Sequence, residues 1–193
     1  MSEIRVDTIT EKTSANGVAI DSVTLKDGGA TLTDNITFSA SCKGVHLGVT
    51  SATASNLLDD YEEGTWTPVI AADASAGAYA SQVGVYTKVG RQVTVIFVIN
   101  ISTIGSFSGA AITLTGFPFA AGNLSTHTFG TLFLDGTASE VQAAGDLGIK
   151  LSNNTSSALF QGNSGNTSGD NNINANKIDT GTFIHGTITY FTD

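Results

Sequence analysis

From residue 65 onward the chain alternates apolar and polar positions in short runs separated by glycine-rich connections, the period of two that marks half-buried strands. The runs fall at 65–70, 83–88, 92–101, 111–114, 126–135, 147–151, 158–161 and 182–191. Run 92–101 places Val93, Val95, Phe97, Ile99 and Ile101 on one face and Thr94, Ile96, Val98 and Asn100 on the other, so its middle is apolar on both sides. A strand of that kind is covered twice, by a second layer or by a neighbouring subunit. Run 182–191 repeats the arrangement, with Ile184, Ile188 and Tyr190 opposite Phe183, Thr187 and Phe191. The stretch between 86 and 94 predicts a hairpin that turns near Val89-Gly90. One helix is suggested, at 139–144, closed by Gly145. Many short strands joined by glycine-rich turns predict an all-β fold, an antiparallel β-sandwich of jelly-roll-like character over 65–193.

The first third reads differently. Alternation is present, with Ile4, Val6 and Thr8 against Arg5, Asp7 and Ile9, and Val18, Ile20 and Ser22 against Ala19, Asp21 and Val23. Asn16-Gly17, Gly28-Gly29 and Asp34-Asn35 supply turn signals between such runs. Large side chains are missing, because Phe38 is the only aromatic before Tyr61. Two readings compete: a β-hairpin turning at Asn16-Gly17, and a thin intertwined rod in which several chains bury small apolar residues along one axis. The rod is preferred, since a two- or three-stranded piece with a single Phe has too little core of its own. Ile4, Val6, Val18 and Ile20 are then the candidate assembly residues. Residues 1–50 form a β-rich assembly or attachment segment, 51–64 a linker, and 65–193 a globular tip domain.

Composition narrows the functional classes. The chain holds 27 Thr, more than three times its 8 Lys and Arg, which reinforces the β reading. Against those 8 cations stand 17 Asp and Glu, for a net charge of −9. Nucleic acid is therefore not an expected partner, because phosphate binding works through clustered Lys and Arg. No run approaches the ~18–20 apolar residues of a spanning helix. The start, Met1-Ser2-Glu3-Ile4-Arg5, lacks the basic and apolar parts of a secretory signal. Synthesis in a cytosol without membrane insertion is the expectation. Cys42 is the single cysteine, without a disulfide partner in the chain or a zinc-type spacing, and is expected as a half-buried small hydrophobe.

Two blocks carry a resemblance. The opening Ser2-Glu3-Ile4-Arg5-Val6-Asp7-Thr8-Ile9-Thr10, with Lys12-Thr13-Ser14-Ala15-Asn16-Gly17-Val18 and Val23-Thr24-Leu25-Lys26-Asp27-Gly28, resembles a recurrent segment of tail-fibre-like virion proteins of marine bacteriophages. The second block, LDDYEEGTWTPVI at 58–70 followed by GVYTKVGRQVTVIFVI at 84–99, resembles the start of the globular tip module of the same proteins. Gly186-Thr187-Ile188-Thr189-Tyr190 is similar to that module's closing strand. The resemblance implies a homotrimer with an elongated N-terminal part that docks onto another virion protein. It also implies a β-sandwich-like C-terminal tip on the surface of the virion. Such modules are exchanged between tail fibres, head fibres and decoration proteins, so tail and capsid locations both stay open.

Candidate chemistry is sparse. Asp59, Asp60, Glu62 and Glu63 form the densest carboxylate cluster, but their order does not match an EF-hand loop, and a solvated or subunit-crossing turn is the default reading. His46, His127 and His185 are far apart in sequence and show no HExxH spacing, so no metal site is expected. No GxSxG elbow and no P-loop lysine is present, which leaves no catalytic residues and no cofactor to assign. The informative polar stretch is 152–181, rich in Asn, Gly and Ser and expected to be anchored at Leu159-Phe160 and Ile173. It reads either as an exposed loop or as a recognition surface. Asn163, Asn166, Asn171 and Asn172 are the candidate binding residues, with amides suited to neutral glycans of a host surface. The reading is a non-enzymatic, trimeric fibre-like protein with a recognition tip; the alternative is a capsid decoration or head-fibre protein that stabilises or ornaments the shell.

Overall fold

The computed structural model describes residues 35–71, 77–105, 110–135, 147–162 and 172–193. The chain divides into two compact units, 1–37 and 38–193. Ile4, Val6, Val18 and Ile20, the choice between hairpin and rod, and the helix suggested at 139–144 all lie outside the described residues.

β-branched and aromatic residues at alternate positions form strands where the chain is also bounded by Gly, Asn and Pro. In chain order these are β1 (Val45–His46), β2 (Leu57–Leu58), β3 (Tyr61–Trp66), β4 (Val69–Ala71), β5 (Tyr79–Val89) and β6 (Gln92–Ile101). They continue with β7 (Thr113–Thr115), β8 (Thr128–Asp135), β9 (Leu147–Leu151), β10 (Ala158–Gly162) and β11 (Phe183–Phe191). Two short 3-10 turns, Ala54–Asn56 and Ala175–Lys177, are the only helical elements among the described residues. The fold is all-β. β1 and β2 pair with each other, and the remaining nine strands make one antiparallel sheet in the order β3-β5-β6-β11-β8-β9-β10-β7-β4. The expected hairpin is β5–β6, turning at Gly90-Arg91, where Gly90 has a φ of 56° that a side chain rarely adopts.

The expected run 65–70 is split in two. Pro68 has no N–H to donate to a ladder, and at Thr67-Pro68 the chain leaves one edge of the sheet as β3 and enters the opposite edge as β4. The two edges are thus consecutive in sequence, so the sheet has to curl until they meet. Side chains of β5 stitch the seam. The Tyr79 hydroxyl donates to the Ile70 carbonyl at 3.2 Å and accepts from the Ile70 N–H at 3.0 Å, and Gln82 Nε2 donates to the Pro68 carbonyl at 2.8 Å.

Inside the curl, large rings lie over glycines on neighbouring strands. Trp66 pairs with Gly84, Phe97 with Gly186 and Tyr86 with Gly64. A Cβ at any of these glycines would collide with the ring opposite. The rings then pack on one another. Trp66 stacks on Phe117 at 5.2 Å and meets Phe97 edge-on at 5.9 Å, and Phe117 meets Tyr190 edge-on at 5.9 Å. Val93, Val95, Ile99, Ile112, Leu114, Ile149, Leu151, Phe160, Ile184 and Ile188 complete a single core. Each such side chain contributes about 1.5–3 kcal/mol by leaving water.

Candidate functional site

Strand register decides which connections share an end of the curled sheet. Ala71, Tyr79, Ile101, Asp135, Leu147, Gly162 and Phe183 all lie at one end, so connections 72–78, 102–112, 136–146 and 163–182 all leave from it. The opposite end carries the start of β3 at Tyr61, the tight Gly90-Arg91 turn and the connections 116–127 and 152–157, while Thr67-Pro68 crosses between the edges part-way along the strands. The expected recognition stretch 152–181 is therefore divided: 152–157 lies at the end with the tight turn, and the chain after Gly162 leaves from the other end. Its anchors are as expected at Phe160 and Ile173, both buried. The Ile173 N–H donates to the Phe160 carbonyl at 2.9 Å, and the Ile112 N–H donates to the Ile173 carbonyl at 2.8 Å. Ala175 and Ile178 are buried anchors that the sequence reading missed, although their apolar character within a polar stretch was the available signal. Of the four candidate asparagines, Asn163, Asn166 and Asn171 lie outside the described residues. Asn172 is half-buried, and its side-chain oxygen accepts from Gln161 Nε2 at 3.1 Å.

The carboxylate cluster is dispersed by the strand. Asp60 pairs with Lys88, whose side chain is 11% exposed and whose ammonium lies 5.4 Å from the Phe119 ring centroid. Glu62 accepts from the Tyr86 hydroxyl and Glu63 from the Tyr61 hydroxyl. Those hydrogen bonds to carboxylates hold both phenols above the ordinary tyrosine value, because they favour the protonated phenol. Among the described residues no group of three or more His, Cys, Asp or Glu is placed to hold a metal ion. His46 and His127 are exposed, while His185 sits on β11 between Phe133 and Phe183, with ring centroids 6.2 and 6.3 Å away. Cys42 is exposed rather than half-buried, on a residue with a φ of 57°, because the small residues around it form turns outside the core.

The outer face of β5-β6-β11-β8 is the least expected surface. Register aligns its outward side chains in rows across the four strands. One row is Val83, Val98, His185 and Phe133; the next is Val85, Ile96, Thr187 and Thr131. Both rows lack Lys, Arg, Asp and Glu. Toward the turn end the outward positions of β5, β6 and β11 continue as Thr87, Thr94 and Thr189, then Val89, Gln92 and Phe191. Val83 is 57% exposed, Ile96 52% and Phe133 61%, with Phe129 on the same strand at 63%. A shallow groove of about 350 Å³ runs along β6, β11 and β8 between Ile96, Val98, Phe133 and His185. Glu63 on β3 and Lys150 on β9 lie in register at opposite flanks, and Asp135 closes one corner. The alternation of 92–101 pointed to a strand apolar on both faces. The exposure of Phe129 and Phe133 was missed, although adjacent apolar residues at 132–134 carried the same signal.

Compared with known proteins, the chain matches no family model, no curated protein and no solved structure.

Proposed function

We propose that this chain is a bacteriophage virion structural protein that acts by assembly and adhesion rather than by catalysis. Residues 1–50 assemble the homotrimer and dock it onto another virion protein, through an axis that includes Ile4, Val6, Val18 and Ile20. Residues 65–193 form the tip, a jelly-roll-like β-sandwich displayed at the virion surface and made in the host cytoplasm, with a host-surface glycan as its ligand. The observation that carries this reading is where the second resemblance block lies. Residues 58–70 and 84–99 supply β3, most of β4, about half of β5 and most of β6, from the strands that make the seam and half of the exposed apolar face. Those residues therefore serve architecture and contact, as the resemblance implies. The end of the sheet where Gly162 and Phe183 lie is the tip's outward surface in this reading.

Labelling virions with an antibody to this chain tests the assignment. Label at the tail together with adsorption of the purified protein to host cells supports the adhesion reading. Label over the shell without adsorption replaces it with the decoration alternative, and no label on any particle removes the virion role. Turnover of host polysaccharide by the purified protein overturns the non-catalytic part.

A further inference from the structure

We propose that the outer face of β5-β6-β11-β8 is a contact between copies of this chain, so that the tip holds its own assembly and does not depend on the N-terminal segment alone. The inference rests on the homo-oligomeric part of the proposed function and adds the surface and the partner. Three observations select a second copy as the occupant. The first is charge. At −9, two copies repel at long range, and a stable contact between them needs a patch free of like charge. The rows Val83-Val98-His185-Phe133 and Val85-Ile96-Thr187-Thr131 supply that patch, with no Lys, Arg, Asp or Glu in either. A cationic partner would instead be drawn to the carboxylates elsewhere on the surface.

The second observation is extent. Four strands about 4.8 Å apart, rising about 3.4 Å per residue, give the two four-strand rows a footprint of about 260 Å², and the two three-strand rows beyond them extend it to about 450 Å². That is rather more than half of the roughly 800 Å² per partner that a standard interface covers, enough for its desolvated centre. Exposed aromatics point the same way: Phe129 and Phe133 stand more than half out of the sheet, and Phe side chains are enriched at interface centres. The third observation is the rim. Glu63 beside Thr87 and Lys150 beside Phe129 stand on opposite flanks of the face, just beyond the two neutral rows toward the turn end, so copies meeting flank to opposite flank pair unlike charges.

The test uses the full chain with Cys42→Ser and one introduced thiol, either Thr131→Cys on the face or Thr126→Cys in the exposed connection before β8. Maleimide labelling is timed on each variant, and light scattering gives the mass of the same sample. At the face the thiol reacts about tenfold more slowly than in the connection, because it is exposed only when copies separate. Adding Ile96→Asp to the face variant restores fast labelling while the β-type circular dichroism stays unchanged. Equal rates at the two positions in a sample of three times 19.7 kDa overturn this inference and leave the trimer standing. Protection in a sample of twice the chain mass supports the face and overturns the trimer. Protection in a sample of single-chain mass overturns the inference, because the cover is then within the chain.

Discussion

The two faces of the β5-β6-β11-β8 region both carry rows of apolar side chains and are opposite in structure. On the inner face Val93, Val95, Phe97, Ile99, Ile184 and Ile188 are at most 1% exposed, and rings sit over glycines with no spare volume. On the outer face Ile96, Val83, Val85 and Phe133 stand in open rows. Hydrophobicity alone does not separate them; shape does. The inner face combines the largest rings with the smallest residue directly across the strand, which fixes one packing. The outer face mixes Val, Ile and Phe with Thr and His and sets no ring over a glycine, which suits a sheet that meets another surface.

The strongest way to break this contrast is to empty the inner face. Phe97→Ala removes a ring that packs against Trp66 and over Gly186, and should cost about 3–5 kcal/mol in a denaturant titration. A loss below about 1 kcal/mol would mean that the ring does not pack as described. Next comes the glycine itself: Gly186→Val forces a branched side chain into the Phe97 ring and should destabilise by about 1–3 kcal/mol, more than the outward Thr187→Val one residue on, which loses only the 2.9 Å hydrogen bond from its hydroxyl to the Val95 carbonyl.

A smaller effect is tied to pH. Burial pushes the Tyr190 phenol up to about 12 from an ordinary 10.0. The folded state therefore keeps the proton after the unfolded chain has lost it. Stability from this source is complete below pH 10 and falls as the pH rises from 10 toward 12. Tyr79, also raised by burial, adds to the same slope. Tyr190→Phe should lower stability at pH 7 by about 0.5–1.5 kcal/mol, through loss of the 2.9 Å bond to the Phe119 carbonyl, and should flatten the alkaline slope. An unchanged slope would assign it to other tyrosines.

The smallest expected effect belongs to the outer face. Phe133→Ser should shift the unfolding free energy, extrapolated to low protein concentration, by less than about 0.5 kcal/mol. A loss comparable with Phe97→Ala would make the outer face part of the chain's own core and dissolve the contrast.

Much of the sheet was legible in the chain. Runs 92–101 and 147–151 match β6 and β9 residue for residue, because β-branched and apolar runs of strand length stand between turn residues or glycine-containing connections. The break at Thr67-Pro68 was not seen as a crossing from edge to edge, since Pro68 announces only the loss of a donor and not where the chain goes next. The fate of the carboxylates was also hidden: Asp60 finds Lys88 and Glu62 finds Tyr86 only once β3 is laid beside β5. Of the proposed binding asparagines, only Asn172 falls among the described residues, and its bond to Gln161 depends on a bridge between segments that spacing does not reveal.

The crossing at Thr67-Pro68 also bears on time. β6 has to find β11 from the far end of the chain, and such distant pairings place folding in the slow range, roughly milliseconds to seconds. Once formed, the sheet cannot come apart from a loose border, because peeling β3 from β5 drags on β4 through two residues and strains its pairing with β7. Opening then requires both borders to release together. That raises the barrier to unfolding more than it raises equilibrium stability, and such a barrier sets how long a protein lasts where it cannot be refolded or replaced.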